Sequence, residues 1–356
     1  MTRAADVSAP ESDRYEDYPH PRETHVLFGH EQAERELLDA YREQRLHHAW
    51  LIGGPQGIGK ATLAWRMTRF LLANPDPTSP KVQGARDLSV PESNFTSKQV
   101  EALSHSDLAL LRREWNDKTK KHFTEIRVND VRSALNLFHH TSGSGGYRVC
   151  LVDCADDLNR SSANALLKVI EEPPPRSIFF IVAHNAAHVL PTIRSRCRKL
   201  LLKPLSDEAL FPAVRAAAPE LEVGDIRHAS ERARGSVREA LRLMSGSGVQ
   251  VDQQVNRILN ALPKINWDWV HDLADQVTSR EQQNEFDVML GAVYDWLDAI
   301  VHARAGEGAA RLAPFAEVWE KVAADVRETE ALNLDKRAFT LLMFDDIVAA
   351  AESAQR

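Results

Sequence analysis

With 356 residues, 43% of them hydrophobic and 27% charged, the chain is long enough for about two to four domains and has the composition of a folded protein. That excludes wholesale disorder, a fibrous repeat and a disulfide-built miniprotein. Three cysteines without a CxxC pair, and no run near ~18 apolar residues, exclude a disulfide framework, a CxxC zinc site and a membrane-spanning helix. Met1 to Arg22 has no apolar stretch of a secretory signal, so the cytoplasm is the default location. The net charge of −7 is unevenly placed. Val251 to Arg356 carries 10 Lys+Arg against 19 Asp+Glu, which leaves +2 for residues 1–250. The acidic C-terminal third is a poor phosphate-binding surface, and this argues against a stand-alone DNA-binding protein.

In chain order, residues 1–24 are polar and proline-containing and read as a flexible tail. Glu31 to Arg45 reads as a helix with Leu37, Leu38 and Tyr41 on one side. His48 to Ile52 is an apolar run closed by glycines, the pattern of a buried parallel strand. Lys60 to Leu72 has apolar residues at helical spacing, and Asn74–Pro80 breaks that helix. The next ~50 residues resist placement, apart from a short strand expected over Asp107–Leu111. Ile126 to His140 reads as a helix and is followed by the loop Thr141–Gly146. Strands are predicted over Arg148–Asp153, Ser177–Ala183 and Lys199–Leu205. A helix over Ser162–Glu172 is stopped by three prolines. Alternating buried strands and helices imply an α/β fold: a parallel sheet with helices on both faces. From Ser206 onward only helical periodicity remains, with a break near Ser245–Gly248 and four tryptophans (267, 269, 296 and 319) read as core or subunit interface.

Gly54-Pro55-Gln56-Gly57-Ile58-Gly59-Lys60 fits the phosphate-loop pattern GxxxxGK between a strand and a helix. Gly54, Gly57 and Gly59 let the backbone turn its amides toward phosphate oxygens. The helix N-terminus adds partial positive charge, and Lys60 would reach the outer phosphates. The next residue should carry a hydroxyl for Mg²⁺, but it is Ala61. Thr62 comes one residue too late, ~100° further round the helix. Asp153 ends a buried strand and could hold Mg²⁺, yet Cys154 stands where a glutamate would activate water. A thiol is mostly protonated at neutral pH and is a poor base for water. ATP or ADP binding is compatible with this loop; efficient hydrolysis is not expected. Cys150 and Cys154, four apart, are expected on one face as buried small hydrophobes, and Cys197 is read the same way.

Several runs resemble the bacterial clamp-loader ATPases, an AAA+ family. They are Asn164-Ala-Leu-Leu-Lys-Val-Ile-Glu-Glu-Pro-Pro174, Ser195-Arg196-Cys197, Gly235-Ser-Val-Arg238-Glu-Ala-Leu241 and His47-His48-Ala49. The resemblance covers roughly Val26 to Leu243. It implies a core over 25–205, a helical lid over 206–248 and a helical collar for oligomerisation over 249–356. It further implies an open five-membered ring in which ATP sites lie at subunit interfaces and a neighbour's arginine completes each one. Arg196 would be that finger, acting in trans, and Arg238 would face bound phosphates. The implied partners are the tau/gamma motor subunits, the delta subunit, the sliding clamp indirectly, and primer–template DNA through the complex; no membrane is involved. Many relatives hold zinc with four cysteines after the phosphate-loop helix. Ala73 to Glu125 contains none, so no zinc is expected. Ala61 and Cys154 place the chain with the near-inactive member of the loader. The alternative is a self-sufficient ATPase, a motor subunit or repair enzyme, and it would need substitutes for both groups.

Overall fold

In a computed structural model, the structure describes residues 10–139, 142, 145–278, 283–304, 309–332 and 334–354. The chain forms two compact units. One comprises Met1–Leu221 with Ser230–Arg238, the other Glu222–Ala229 with Glu239–Arg356.

The first unit is an α/β layer structure. Helix α1 (Glu31–Arg42) leads to strand β1 (Ala49–Gly53), then α2 (Lys60–Ala73), the short α3 (Pro80–Gln83) and α4 (Phe95–Glu101). Strand β2 (Leu108–Leu111) is followed by a hairpin, β3 (Trp115–Asn116) with β4 (Lys121–His122), and by α5 (Val128–Leu135). Then come β5 (Arg148–Asp153), α6 (Arg160–Glu171), β6 (Ser177–Ala183), α7 (Pro191–Arg194), β7 (Arg198–Leu201) and α8 (Asp207–Ala217). The main sheet has the order β2-β5-β6-β1-β7, and every neighbouring pair is parallel.

The inner strands β1, β5 and β6 are largely apolar because both faces are covered, whereas the edge strand β7 begins Arg198-Lys199 and is mostly exposed. Alternate residues go to opposite layers. Trp50 and Ile52 pack with Leu37, Leu38, Tyr41 and Trp65 of α1 and α2. Leu51 packs with Cys150, Phe179 and Ile181 against Leu135, Leu166 and Ile170 of α5 and α6. Cys154 departs from the expected alternation. It joins the layer with α2, whereas Cys150 faces α5 and α6. The strand ends at Asp153, so the period of two no longer governs the next residue.

Two segments that looked featureless are ordered. Residues 1–9 of the expected tail lie outside the described residues, as do 140–141 and 143–144 of the loop after α5. From residue 10 the expected tail is instead packed down. His20 is fully buried with its ring edge-on to Trp65, and Arg22 donates to the carbonyl of Glu101 at 2.8 Å. Charged pairs hold it: Glu11 and Asp13 lie 2.9 and 2.6 Å from Arg112, and His20 Nε2 lies 3.1 Å from Asp13. The segment without cysteines after α2 is pegged by Val82, Leu88, Val90 and Val100. A buried Arg66–Glu34 ion pair at 2.6 Å reinforces it, and Glu34 also accepts from the Leu88 amide at 3.2 Å.

The second unit is helical. It takes in most of α9 (Val223–Arg232) and of α10 (Val237–Met244), then α11 (Gly248–Asn260), α12 (Trp267–Gln276), α13 (Gln283–Ala303), α14 (Ala309–Leu332) and α15 (Lys336–Ser353). Its buried residues include Val255, Leu273, Phe286, Met289, Phe315 and Phe344. The four tryptophans are not core. Trp267 is exposed, and the other three are half-buried at the margin. Trp269 lies under the Arg257 guanidinium at 3.6 Å, and Trp319 lies against Tyr294. A large ring with a polar edge is readily left half-covered in this way. Among the described residues, no helix is long and apolar enough to cross a membrane.

Candidate phosphate-binding site and the opposite sheet edge

Because the sheet is parallel, the C-terminal ends of β1, β5, β6 and β2 meet along one edge, where ligands bind in open α/β sheets. The phosphate loop leaves β1 there. Gly54 has φ 145°, and a Cβ on it would lie 2.5 Å from the Leu202 carbonyl oxygen. Gly57 has φ 76°, and a Cβ would lie 2.4 Å from Ser236 Oγ and 2.5 Å from Arg238 Cβ. These glycines are required by close approach as well as by backbone angle. Gly59, at φ 101°, caps the start of α2.

The loop carbonyls are fastened one by one. Lys60 Nζ donates to Gly54 O at 2.6 Å and also to Pro55 O. Ser236 Oγ donates to Gln56 O at 2.9 Å, and the Val237 amide to Gly57 O at 2.9 Å. His30 Nε2 lies 2.6 Å from Ile58 O. The loop is thus fixed from two sides, by α1 and by the segment leading into Arg238. Lys60 is almost fully buried, and that burial pulls its ammonium down to about 8 against the attraction of Asp153 and Asp156. A phosphate at this position would reverse the shift by supplying the missing negative charge.

Ala61 packs its methyl against the core layer of α2. Thr62 is half-buried one residue further along the helix. Asp153 stands at the end of β5. Burial raises its carboxyl to about 7, helped by Asp13 and Asp157 and opposed by Lys60 and Arg112. Cys154 is buried, and its thiol is pushed far above its ordinary range by burial first and by Asp157, Asp153 and Asp156 next. A thiol so held stays protonated and cannot take a proton from water. The donor set therefore suits the phosphates of a nucleotide and does not suit a hydroxyl-held Mg²⁺ with an activated water.

Three residues of this edge carry no spacing signal in the sequence. Asp156 accepts from the amides of His184 at 2.7 Å and Asn185 at 3.0 Å, and so fixes the turn after β6. His184 is lowered to about 4 by burial and by the nearby positive charges of Lys60 and Arg238, so its ring is neutral. His30, also lowered by burial, secures the loop as described. The only hint of His184 was a polar residue directly after a wholly apolar strand. Arg238 stacks its guanidinium 4.6 Å above the Tyr15 ring, which belongs to the segment expected to be a tail.

Arg196 lies elsewhere. It precedes β7, which runs parallel to β1 with Arg198 beside Trp50 and Leu201 beside Gly53. Arg196 therefore sits at the opposite edge of the sheet from its own phosphate loop. The rise from Arg198 to Leu201 alone is ~10 Å at ~3.3 Å per residue. Its guanidinium is exposed, 2.8 Å from Glu171 and 3.1 Å from Thr192 O. The neighbouring arginines have exposed contacts of their own. Arg194 donates to Ala187 O, and Arg198 pairs with Glu36 at 2.7 Å beside the Trp50 ring.

A five-stranded parallel sheet with a phosphate loop after an inner strand, and helices on both faces, defines a phosphate-loop α/β protein. The sequence profile of the family described as DNA polymerase III, delta subunit matches residues 29–206, and the chain belongs to that clamp-loader family. It is 34% identical over 150 residues to DNA polymerase III subunit delta' of Pseudomonas aeruginosa, covering 42% of this chain and 41% of that one. Over 228 residues it is 26% identical to subunit gamma of Buchnera aphidicola (subspecies Schizaphis graminum), covering 63% and 58%. Subunit tau of Escherichia coli is 28% identical over 245 residues, covering 66% and 35%. The matches thus span less than two thirds of these relatives' own length. Among solved structures, the RuvB Holliday junction branch migration motor of Thermotoga maritima aligns over 82% of both chains with 19% identity and a TM-score of 0.42.

Proposed function

We propose that this chain serves as the delta prime subunit of a DNA polymerase III clamp loader in the bacterial cytoplasm. On this reading it is a stationary ring member. It supports ATP-dependent loading of the sliding clamp on primed DNA and lends Arg196 to the ATP site of a neighbouring tau or gamma subunit. The observation that carries the proposal is the division of the first unit into two unlike edges. One edge has a phosphate loop beside Ala61 and a buried, protonated Cys154, poorly equipped to hydrolyse ATP. The other presents Arg196 outward, where it can act only on another molecule. A guanidinium offers a rigid fork to developing phosphate charge, and fingers of this kind contribute ~10³–10⁵ in rate. The delta subunit and the tau or gamma subunits are the partners, joined through the helical unit as a collar. Primer–template DNA is met through the assembled ring, and Arg238 with Lys60 would contact any nucleotide held here.

The test is add-back. ATP turnover stimulated by primed DNA is measured for motor and delta subunits with and without this chain, and for this chain alone. Stimulated turnover that requires the chain, with background turnover by the chain alone, is expected. Robust turnover by the isolated chain that disappears in Lys60→Ala would instead make it a self-sufficient ATPase.

A further inference from the structure

Arg196 is not merely exposed; the end of α6 and the run Thr192–Ser195 directly before it both hold it. Its Nη2 lies 2.8 Å from Glu171 Oε1 at the end of α6. Its Nη1 donates to Thr192 O at 3.1 Å and lies 3.4 Å from Ser195 Oγ, both beside the C-terminal end of α7. The end of α6 is itself fixed. His48, directly before β1, places Nε2 3.0 Å from Ile170 O, the residue preceding Glu171. Burial lowers the His48 pKa, with His47 beside it acting in the same direction, so the ring is neutral and donates Nε2–H to that carbonyl. His47 stacks on His48 at 4.3 Å between ring centres. Glu171 thus starts from a helix end tied to the residue that leads into β1, not from a loose loop.

From this geometry we infer that Glu171 is a positioning residue for Arg196, which it holds extended along the sheet edge ready to meet a phosphate on a neighbouring subunit. The inference rests on the trans role proposed for Arg196. A long arginine side chain has several rotatable bonds, and freezing them costs conformational entropy, of which one ion pair prepays a part. Glu171 and Thr192 O restrict that freedom before the subunit meets its neighbour. Together with Ser195 Oγ, they engage one N–H of Nη2 and the N–H groups of Nη1, and leave Nε–H and the second N–H of Nη2 available. The ion pair is solvent-exposed on both sides and so contributes little to folding stability. Its removal should therefore disturb the arginine and not the fold. The glutamate of the Asn164–Pro174 run then acts through the arginine of the Ser195–Cys197 run, although 25 positions separate the two residues in sequence.

The experiment uses the loader reconstituted from motor subunits, delta subunit and this chain, with ATPase measured at saturating primed DNA over a range of ATP concentrations. Glu171→Ala, Glu171→Gln, Arg196→Ala and the double variant Glu171→Ala/Arg196→Ala are compared. Elution of the assembled loader and the melting temperature of each variant serve as folding controls. Glu171→Ala is expected to lower kcat about threefold with KM for ATP unchanged, the size set by the rotamer freedom regained. Glu171→Gln, which can still accept the arginine's hydrogen bond, should recover most of the loss. The double variant should be no slower than Arg196→Ala alone, because Glu171 acts only through that arginine. Wild-type kcat in Glu171→Ala beside an impaired Arg196→Ala would overturn the positioning role and leave the proposed function standing. A double variant slower than Arg196→Ala would also overturn it, by showing that Glu171 acts elsewhere. Full activity in Arg196→Ala would remove the proposed function and this inference together.

Discussion

Lys60 folds its ammonium back onto the carbonyls of Gly54 and Pro55, within the field of Asp153 and Asp156. On the proposed reading, this phosphate loop keeps its cationic residue and lacks the groups that would turn binding into hydrolysis. Ala61 contributes packing in place of a metal ligand, and Cys154 contributes packing in place of a base. The cysteines test that view directly. Burial pushes the Cys150 and Cys197 thiols up to about 12 and Cys154 higher still, so none forms the reactive thiolate near neutral pH. A disulfide reagent at pH 8 should modify all three only at the rate of unfolding, in a single phase that accelerates with denaturant. Fast labelling of Cys154 in the native protein, located by peptide mass spectrometry, would show that this thiol is open to solvent and free to act as a base. The glycine spacing made this loop legible in the sequence. His30, Asp156 and His184 were not legible, because single polar residues brought together by the sheet leave no pattern along the chain.

At the scale of elements, β5 and β6 were readable with their boundaries because a strand buried on both faces is a continuous apolar run bounded by polar residues. Residues 10–24 were not readable. Their order comes from charged pairs between residues up to about a hundred positions apart, such as Glu11 and Asp13 with Arg112, which give no periodicity. The same pairs make the segment sensitive to acid. Despite the opposing effect of burial, hydrogen bonds from Arg22, Arg112 and Arg14 hold the Glu11 carboxyl down to about 2. His20 and Arg112 lower Asp13, and Arg14 lowers Glu23. A carboxylate whose folded pKa is depressed adds stability above its unfolded pKa of ~4.3 and loses it as pH falls toward the folded value. The segment should therefore be protected from proteolysis at pH 7 and should loosen between about pH 4.5 and 2, before the sheet itself unfolds. Hydrogen exchange across residues 10–24 as a function of pH measures this. Protection that persists unchanged to pH 2 would mean that the ion pairs do not hold the segment in place. Because Tyr15 stacks on Arg238, loosening should also free that arginine.

For the whole molecule, the consequence of a parallel sheet is that its two edges serve different ends. The C-terminal edge collects the loop, the acidic strand end and the neutral His184. The N-terminal edge collects His48, Glu171 and Arg196. A subunit built in this way can lose its own chemistry and still be needed, provided that its outward edge completes another subunit's site. Arg194, Arg196 and Arg198 are all engaged at the surface, Arg196 and Arg198 with exposed carboxylates and Arg194 with the Ala187 carbonyl, so it is the resemblance of Ser195-Arg196-Cys197 to the clamp-loader motif that singles out Arg196. The most direct measurement is primed-DNA-stimulated ATPase of a loader reconstituted with wild-type chain or with Arg196→Ala, each first shown to elute as one assembled species. We expect the variant loader to lose about tenfold or more of its stimulated turnover, since a finger's contribution is made only in the transition state. Turnover equal to wild type in a fully assembled variant loader would contradict the central claim and leave Lys60 and its loop as the place to look for this chain's role.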